Sequence, residues 1–152
     1  MLKGSNDPRH NELHIGTNCV GPCLLYKLLL PILTKTAASS PTGSVRVIWA
    51  GSIAIEVNSP KPGGMEVDDT GRPRNMDELS SYGQSKVGNV FLARTHAKTT
   101  PQTGVVHASF NPGNLRTGLQ RHWHGLDVTF MVSTLPSSQV PRLSLCFTAD
   151  VY

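Results

Sequence analysis

The stretch Tyr82-Gly-Gln-Ser-Lys86 begins a segment with helical spacing that lies between two predicted strands. A spacing of four residues places the phenol and the ammonium on one face of a helix, where the cation favours the ionised phenol. A free phenol has a pKa of about 10, and a group tuned towards the working pH exchanges protons more effectively. The spacing alone indicates little, because most such pairs are solvated helix residues.

Two apolar, β-branched runs flank this segment. Val45-Arg-Val-Ile-Trp-Ala50 ends at Gly51-Ser52, and Val105-Val-His-Ala-Ser-Phe110 ends at Asn111-Pro112-Gly113. Each run is typical of a buried strand. Between them a helix is predicted from Tyr82 to about Lys98. Strand, helix and strand in this order predict a right-handed crossover in a parallel sheet. Ser52 would then lie at the carboxyl edge, where ligands bind to open α/β sheets.

The motifs together resemble the C-terminal part of the short-chain dehydrogenase/reductase family. The similarity covers roughly residues 11 to 120 and is strongest to the retinol-dehydrogenase-like and WW-domain-oxidoreductase-like branch of filamentous fungi. It implies an α/β fold, namely the C-terminal part of a Rossmann-like doubly wound parallel sheet. The matching stretches, in the order of the family, are Gly16-Thr-Asn18-Cys-Val-Gly-Pro22, Leu24-Leu25, Leu28-Leu-Leu-Pro31, Ser52, Tyr82-x-x-x-Lys86-x-x-Asn89 and Asn111-Pro112-Gly113-x-x-x-Thr117.

The resemblance also implies a role for each matching residue. Tyr82 would exchange a proton with the substrate oxygen, Ser52 would hydrogen-bond that oxygen, and Lys86 would hold the nicotinamide ribose and lower the pKa of the tyrosine. Asn18 would belong to the proton relay. The expected cofactor is NADP, with NAD as the alternative, and hydride transfer belongs to that cofactor. The residues expected to line the nicotinamide are Asn111, Pro112, Gly113 and Thr117.

The chain also departs from the family pattern. It contains no G-x-x-x-G-x-G or G-x-G-x-x-G turn, although a dinucleotide diphosphate needs close backbone approach at a helix N-terminus. We therefore expect a fold that lacks the first glycine-rich βαβ half, with Met1 matching an internal methionine of a longer ancestor. Residues 1–152 would form a single partial domain, in which residues 121–152 are an atypical tail.

Composition limits the classes of partner. The formal net charge is +4, but the 14 Lys and Arg residues are scattered, so nucleic-acid binding is not expected. Apolar runs are short, so we expect no membrane span and a cytoplasmic location. The cysteines and histidines do not complete a zinc set, and His122-Trp-His124 is expected in a substrate loop. The long segment from Glu56 to Ser81 is predicted to be a loop, either bordering the substrate site or a solvated linker.

Two functions remain open from the sequence. One is an NADP-dependent oxidoreductase that interconverts an alcohol and a ketone or aldehyde, a small-molecule substrate, in fungal secondary metabolism. The other is a catalytically inactive remnant or an interaction protein that cannot hold a dinucleotide. In either case an incomplete sheet should leave apolar helix residues partly uncovered, which favours association or a homo-oligomer. The residues expected to be uncovered are Leu24, Leu25, Leu28, Leu29, Val90 and Phe91.

Overall fold

A computed structural model describes residues 5–62, 64–113 and 146–148, which contain a three-stranded sheet in the order β1-β2-β3. The strands are β1 (Arg46–Ala50), β2 (Val106–Phe110) and β3 (Cys146–Thr148). Strands β1 and β2 are parallel, with Arg46 opposite Val106 and Ala50 opposite Phe110. The predicted α/β class, a partial Rossmann-like sheet, is confirmed. Strand β3, which lies in the segment 121–152 that we expected to be an atypical tail, is antiparallel to β2, as edge strands of mixed sheets often are.

The helices run alongside the sheet. The short α1 (Leu13–Ile15), a π-helical segment (Gly16–Val20) and α2 (Gly21–Ala38) follow one another directly. After β1 come α3 (Ala54–Val57), α4 (Glu78–Thr99) and a 3₁₀ turn (Pro101–Thr103). Helix α4 begins before the predicted Tyr82 because the Asp77 carboxylate caps it, accepting hydrogen bonds from the backbone N–H groups of Leu79 and Ser80, which is the usual way to satisfy free donors at a helix start.

The core consists of aromatic rings between α2, α4 and one face of the sheet. Tyr26, Trp49 and Ala93 are buried together. The rings of Tyr26 and Trp49 meet edge to face with centroids 5.8 Å apart, and His96 stacks on Trp49 at 5.6 Å. On the opposite face of β1, Ile48 is half exposed. Within the described residues, β1 is therefore covered on the face that carries Trp49.

Helix α2 leaves much of its apolar surface uncovered. Leu28 is 70 % exposed and Leu25 57 %. Leu24, Leu29 and Phe91 are also exposed, and Val90 is half-buried. The prediction that these six residues are only partly covered is confirmed.

Residues Leu13–Ala38 are also long and apolar enough to cross a membrane by length and composition. The helix of a doubly wound fold that packs on a sheet satisfies the same criteria, so this property does not by itself identify a membrane segment. The expectation of no membrane span, which was drawn from the shortness of the apolar runs, therefore stays a prediction.

A buried histidine shares the core with these rings. The Trp49 indole N–H donates to His107 Nδ1 at 3.2 Å, which assigns the proton of the neutral imidazole to Nε2. That Nε2 atom is buried and has no hydrogen-bond partner among the described residues. Burial, with a smaller contribution from the nearby His96, lowers the pKa of His107 from 6.5 to about 4. The folded protein therefore favours the neutral ring.

This pKa predicts a pH-dependent stability. Because the folded pKa lies below the unfolded value, the contribution of His107 is fully present above pH 6.5 and is lost as the pH falls towards 4. The loss in free energy of unfolding should reach about 3 kcal/mol, at 1.36 kcal/mol per pKa unit. Urea denaturation between pH 7 and 4 measures it. His107→Gln should flatten the pH dependence, whereas the exposed control His10→Asn should not; equal slopes in all three proteins would contradict the assignment.

Candidate active site

The π-helical segment lies against the first half of α4. The Asn18 side-chain amide donates to Ser85 Oγ at 2.9 Å, and Ser85 Oγ donates to the Tyr82 carbonyl at 2.7 Å. The Cys19 thiol donates to the Ser85 carbonyl at 3.0 Å. Asn18 thus reaches α4 at the turn that carries Tyr82 and Lys86. A π-helical turn often marks a functional position, and here it contains Asn18.

Two glycines allow this close packing. A Cβ atom on Gly88 would lie 2.5 Å from Cys19 Sγ, and a Cβ atom on Gly83 would lie 2.8 Å from the backbone of Asn58 and Ser59. Both distances are shorter than non-bonded contacts allow. The two missing side chains therefore determine how near the π-helical segment and the end of α3 come to α4.

Tyr82 and Lys86 lie on one face of α4, as their spacing predicts. Lys86 Nζ is 5.5 Å from the centroid of the Tyr82 ring, and both side chains are half-buried. Burial lowers the pKa of Lys86. Lys86 Nζ also donates to the Ala50 carbonyl at 3.3 Å, which ties α4 to the carboxyl end of β1.

A histidine and a glutamate occupy the other side of Tyr82. The His14 ring meets the Tyr82 ring edge to face at 6.0 Å. His14 Nδ1 donates to the Glu12 carboxylate at 2.7 Å, and both side chains are largely buried. Sequence reasoning missed this pair, because a lone histidine nearly seventy residues before the tyrosine carries no spacing signal.

The carboxyl ends of β1 and β2 bring two further predicted residues together. Ser52 Oγ accepts the backbone N–H of Ala54 at 3.2 Å at the start of α3. Ser52 and Asn111 line the same small cleft between the strand ends. Asn111 Oδ1 accepts the backbone N–H of Gly113 at 3.0 Å, which closes the turn around Pro112. Thr117 lies outside the described residues.

A larger polar cavity of about 380 Å³ lies between the residues preceding α1 and the loop before α4. None of the described residues predicted for the site lines this cavity. The segment from Glu56 to Ser81, predicted to be a loop, contains the last two residues of α3 and the first four residues of α4. Its middle part forms one wall of the cavity. Glu12 in the opposite wall is held by His14. The lining residues are His10, Asn11, Glu12, Ile15, Asp68, Arg72, Pro73, Arg74 and Asn75.

Comparison with known proteins identifies the family. A short-chain dehydrogenase/reductase of Phomopsis amygdali is 47% identical over 118 residues, which are 74% of this chain and 34% of the relative. A second, from Pestalotiopsis fici, is 40% identical over 114 residues, 75% of this chain and 35% of the relative. This chain belongs to the short-chain dehydrogenase/reductase family. An uncharacterised oxidoreductase of Schizosaccharomyces pombe is 34% identical over 135 residues, 88% of this chain and 38% of the relative.

This short-chain dehydrogenase/reductase chain spans about a third of the length of the relatives it matches. No protein-family model and no solved structure matches it. The family assignment therefore rests on the curated relatives and on the motifs that share their order. Of the residues predicted for the site, Tyr82 and Lys86 share one face of α4, and Asn18 bonds to Ser85 in the turn between them. Ser52 and Asn111 line one cleft at the ends of β1 and β2. Lys86 contacts the end of β1 through its hydrogen bond to the Ala50 carbonyl.

The contact between Gly88 and Cys19 generates a test of this packing. Gly88→Ala should lower the free energy of unfolding by about 1–3 kcal/mol, the usual range for overpacking, despite the higher helix propensity of alanine. Cys19→Ala removes the thiol that the new methyl group would meet. The double variant should therefore recover most of that loss, a coupling measured by urea denaturation of the parent, both single variants and the double variant. Additive effects would show that the helices do not meet at this contact.

Proposed function

We propose that this chain forms the catalytic, nicotinamide-facing part of an NADP-dependent oxidoreductase that interconverts an alcohol and a ketone or aldehyde. The observation that carries the proposal is the Tyr82–Lys86 face of α4, with an ammonium 5.5 Å from the phenol ring in a chain of the short-chain dehydrogenase/reductase family. A fixed cation beside a phenol favours the phenolate, and thereby makes the hydroxyl a better proton donor to a reduced carbonyl oxygen.

Each side chain has a definite task in this reaction. In the reducing direction, the Tyr82 hydroxyl gives its proton to the substrate oxygen, and in the oxidising direction it takes the proton back. The Ser52 hydroxyl donates a hydrogen bond to the same oxygen and orients it. Lys86 stabilises the phenolate, and Asn18 holds the turn of α4 between them through Ser85. The roles of Tyr82, Ser52 and Lys86 follow the family resemblance, which also implies that Asn18 belongs to the proton relay. The contacts of Lys86 with the Tyr82 ring and of Asn18 with Ser85 support this grouping.

The cofactor fit differs between the two ends of a nicotinamide dinucleotide. When bound, such a cofactor supplies or accepts the hydride. Lys86 is suited to the nicotinamide ribose, because its half-buried ammonium lies beside Tyr82 and donates a long hydrogen bond, 3.3 Å, to the Ala50 carbonyl. The turn from Asn111 to Gly113, with Thr117, is proposed to face the nicotinamide. The 152 residues contain no glycine-rich turn for the diphosphate, so the adenosine end has no such holder in this chain.

The substrate is proposed to be a small alcohol or carbonyl compound. The polar cavity of about 380 Å³, whose wall includes the His14 partner Glu12, is within the usual size range of small-molecule sites. The matched relatives are fungal, and fungal secondary metabolism in the cytoplasm is the setting we propose. The choice of NADP over NAD follows from the family resemblance alone.

A second candidate function is that of an inactive remnant or interaction protein. Its support is the lack of a glycine-rich turn, together with the exposed leucines of α2. The two candidates differ in one measurable property. An oxidoreductase needs the Tyr82 hydroxyl for turnover, whereas an interaction protein does not.

Cofactor binding and turnover test the first candidate. Titration of NADPH fluorescence with the 152-residue chain should show weak binding, because losing the diphosphate contacts costs several orders of magnitude at about 1.4 kcal/mol per tenfold. At high NADPH, Tyr82→Phe should bind equally but lower the turnover of a ketone about 10²–10⁴-fold, since only the proton-transfer hydroxyl is removed. Tyr26→Phe, which removes a hydroxyl from the core, is the matched control. A low-micromolar dissociation constant would contradict the expected weak binding, and equal turnover in all three proteins would contradict the role of Tyr82.

The apolar face of α2 is proposed to mediate association of the chain. Leu24, Leu25, Leu28 and Leu29 project uncovered from consecutive turns of one helix. A contiguous exposed apolar patch of this kind favours association in water.

Light scattering after size exclusion measures this association. The parent chain should form oligomers, and a Leu25→Gln/Leu28→Gln double variant should shift the population towards monomer, because it removes apolar area without removing a buried side chain. Val67→Gln, on the loop before α4 where the side chain is half exposed, should leave the distribution unchanged. A monomeric parent chain would refute this proposal.

A further inference from the structure

The carbonyl group of Ala50 ends β1 and has two side-chain donors. The backbone N–H of the next residue, Gly51, donates to the Phe110 carbonyl of β2 at 2.8 Å. Because the C=O and N–H groups of one trans peptide unit point in opposite directions, the Ala50 carbonyl points away from β2. It accepts the Asn89 side-chain amide at 2.9 Å and Lys86 Nζ at 3.3 Å. Both donors come from the same face of α4.

The two hydrogen bonds are unequal. A charged donor usually forms the shorter bond, at about 2.7–2.9 Å, yet here the neutral amide of Asn89 is the nearer donor. Asn89 therefore occupies the favourable acceptor direction, and the ammonium makes only a long second contact. If each donor bonded to the carbonyl alone, the ammonium would be expected to form the shorter of the two hydrogen bonds.

Asn89 is held in this place at a cost. The residue is 4 % exposed, and its Oδ1 atom is buried without a hydrogen-bond partner among the described residues. An unsatisfied buried acceptor costs about 1–3 kcal/mol, which an apolar side chain at this position would avoid. The amide must therefore do something that packing alone does not require.

We propose that Asn89 is a positioning residue for Lys86. By taking the Ala50 carbonyl as its acceptor, the amide prevents that carbonyl from capturing the ammonium. Lys86 then stays beside the Tyr82 ring and is available to a ribose hydroxyl. The consequence for turnover rests on the proposed function, but the effect on the state of Lys86 does not.

The groups around Lys86 make this effect measurable. From the π-helical segment, Cys19 faces it as a neutral thiol, because burial raises the pKa of Cys19 to about 12. From its own helix, Tyr82 faces it at 5.5 Å. From α1, the pair of His14 and Glu12 lies behind the Tyr82 ring. Among these groups no carboxylate contacts Lys86 directly, so its surroundings change mainly at the Ala50 carbonyl when Asn89 is replaced.

The test is an NMR titration of the ¹³Cε-labelled lysines in the 152-residue chain, with Lys86 assigned by Lys86→Arg. In Asn89→Ala the ammonium becomes the sole donor to the Ala50 carbonyl, and a hydrogen bond to the charged form raises a pKa. We expect the pKa of Lys86 to rise by about 0.5–1 unit, a scale that corresponds to about 1 kcal/mol. Asn89→Asp keeps the shape and adds a carboxylate, so the pKa should rise further.

The matched control is Leu92→Ala, one turn further along α4, where the side chain packs on the aromatic core. It should lower the melting temperature but leave the pKa of Lys86 unchanged. Where the parent turns over a ketone, the basic limb of its pH profile should move upward in both Asn89 variants and not in the control, since the phenolate loses its cation.

The outcomes separate this proposal from the proposed function. An unchanged pKa of Lys86 in folded Asn89→Ala and Asn89→Asp would overturn the positioning role. So would an equal rise in Leu92→Ala, or a failure of both Asn89 variants to fold while Leu92→Ala folds, because Asn89 would then be a purely structural residue. A raised pKa in a chain without cofactor binding or turnover would support the positioning role and refute the proposed function. Turnover by the parent chain, with no change in the pKa of Lys86 in the Asn89 variants, would support the proposed function and refute the positioning role.

Discussion

The close approach of three chain segments to helix α4 is the constraint on which the site depends. Gly83 lets the backbone after α3 reach α4, and Gly88 lets Cys19 do so. These contacts bring the π-helical segment, the end of β1 and the tyrosine face of α4 to one place. Each glycine lowers helix propensity by about 1 kcal/mol relative to alanine. Helix α4 is thus locally less stable at these two glycines, but its backbone can approach the neighbouring segments closely.

Burial sets the electrostatics of this place. Lys86 is the single described ammonium against Tyr82, and its desolvation lowers its pKa. Cys19 stays neutral for the same reason, since burial raises the pKa of its thiol to about 12. The site therefore holds one positive charge near a phenol and no thiolate to neutralise it. In a partly desolvated position such a charge acts on its neighbour more strongly than it would in water.

Polar groups also occur in the core, where they affect stability rather than chemistry. On the face of the sheet that α2 and α4 cover, the Trp49 indole N–H donates a hydrogen bond to His107. The centroids of the His96 and His107 rings lie 5.6 Å apart. These rings connect α2, α4 and both parallel strands in one cluster. The same strands end at Ser52 and Asn111. Protonation of the cluster is therefore expected to loosen the sheet whose carboxyl edge carries the site.

The local elements of this protein, and the shared helix face of Tyr82 and Lys86, could be predicted from the sequence. Apolar, β-branched runs ending in Gly-Ser and Asn-Pro-Gly predicted β1 and β2, and the spacing of Tyr82 and Lys86 predicted their common helix face, because both signals lie within a few residues of each other in the chain. The start of α4 was predicted too late, since its Asp77 cap precedes the apolar pattern. Only the tertiary structure placed His14 and Glu12 beside Tyr82 and assigned the Ala50 carbonyl to both Asn89 and Lys86. Such contacts join residues far apart in the chain, and no local pattern specifies which distant side chain packing will bring into reach.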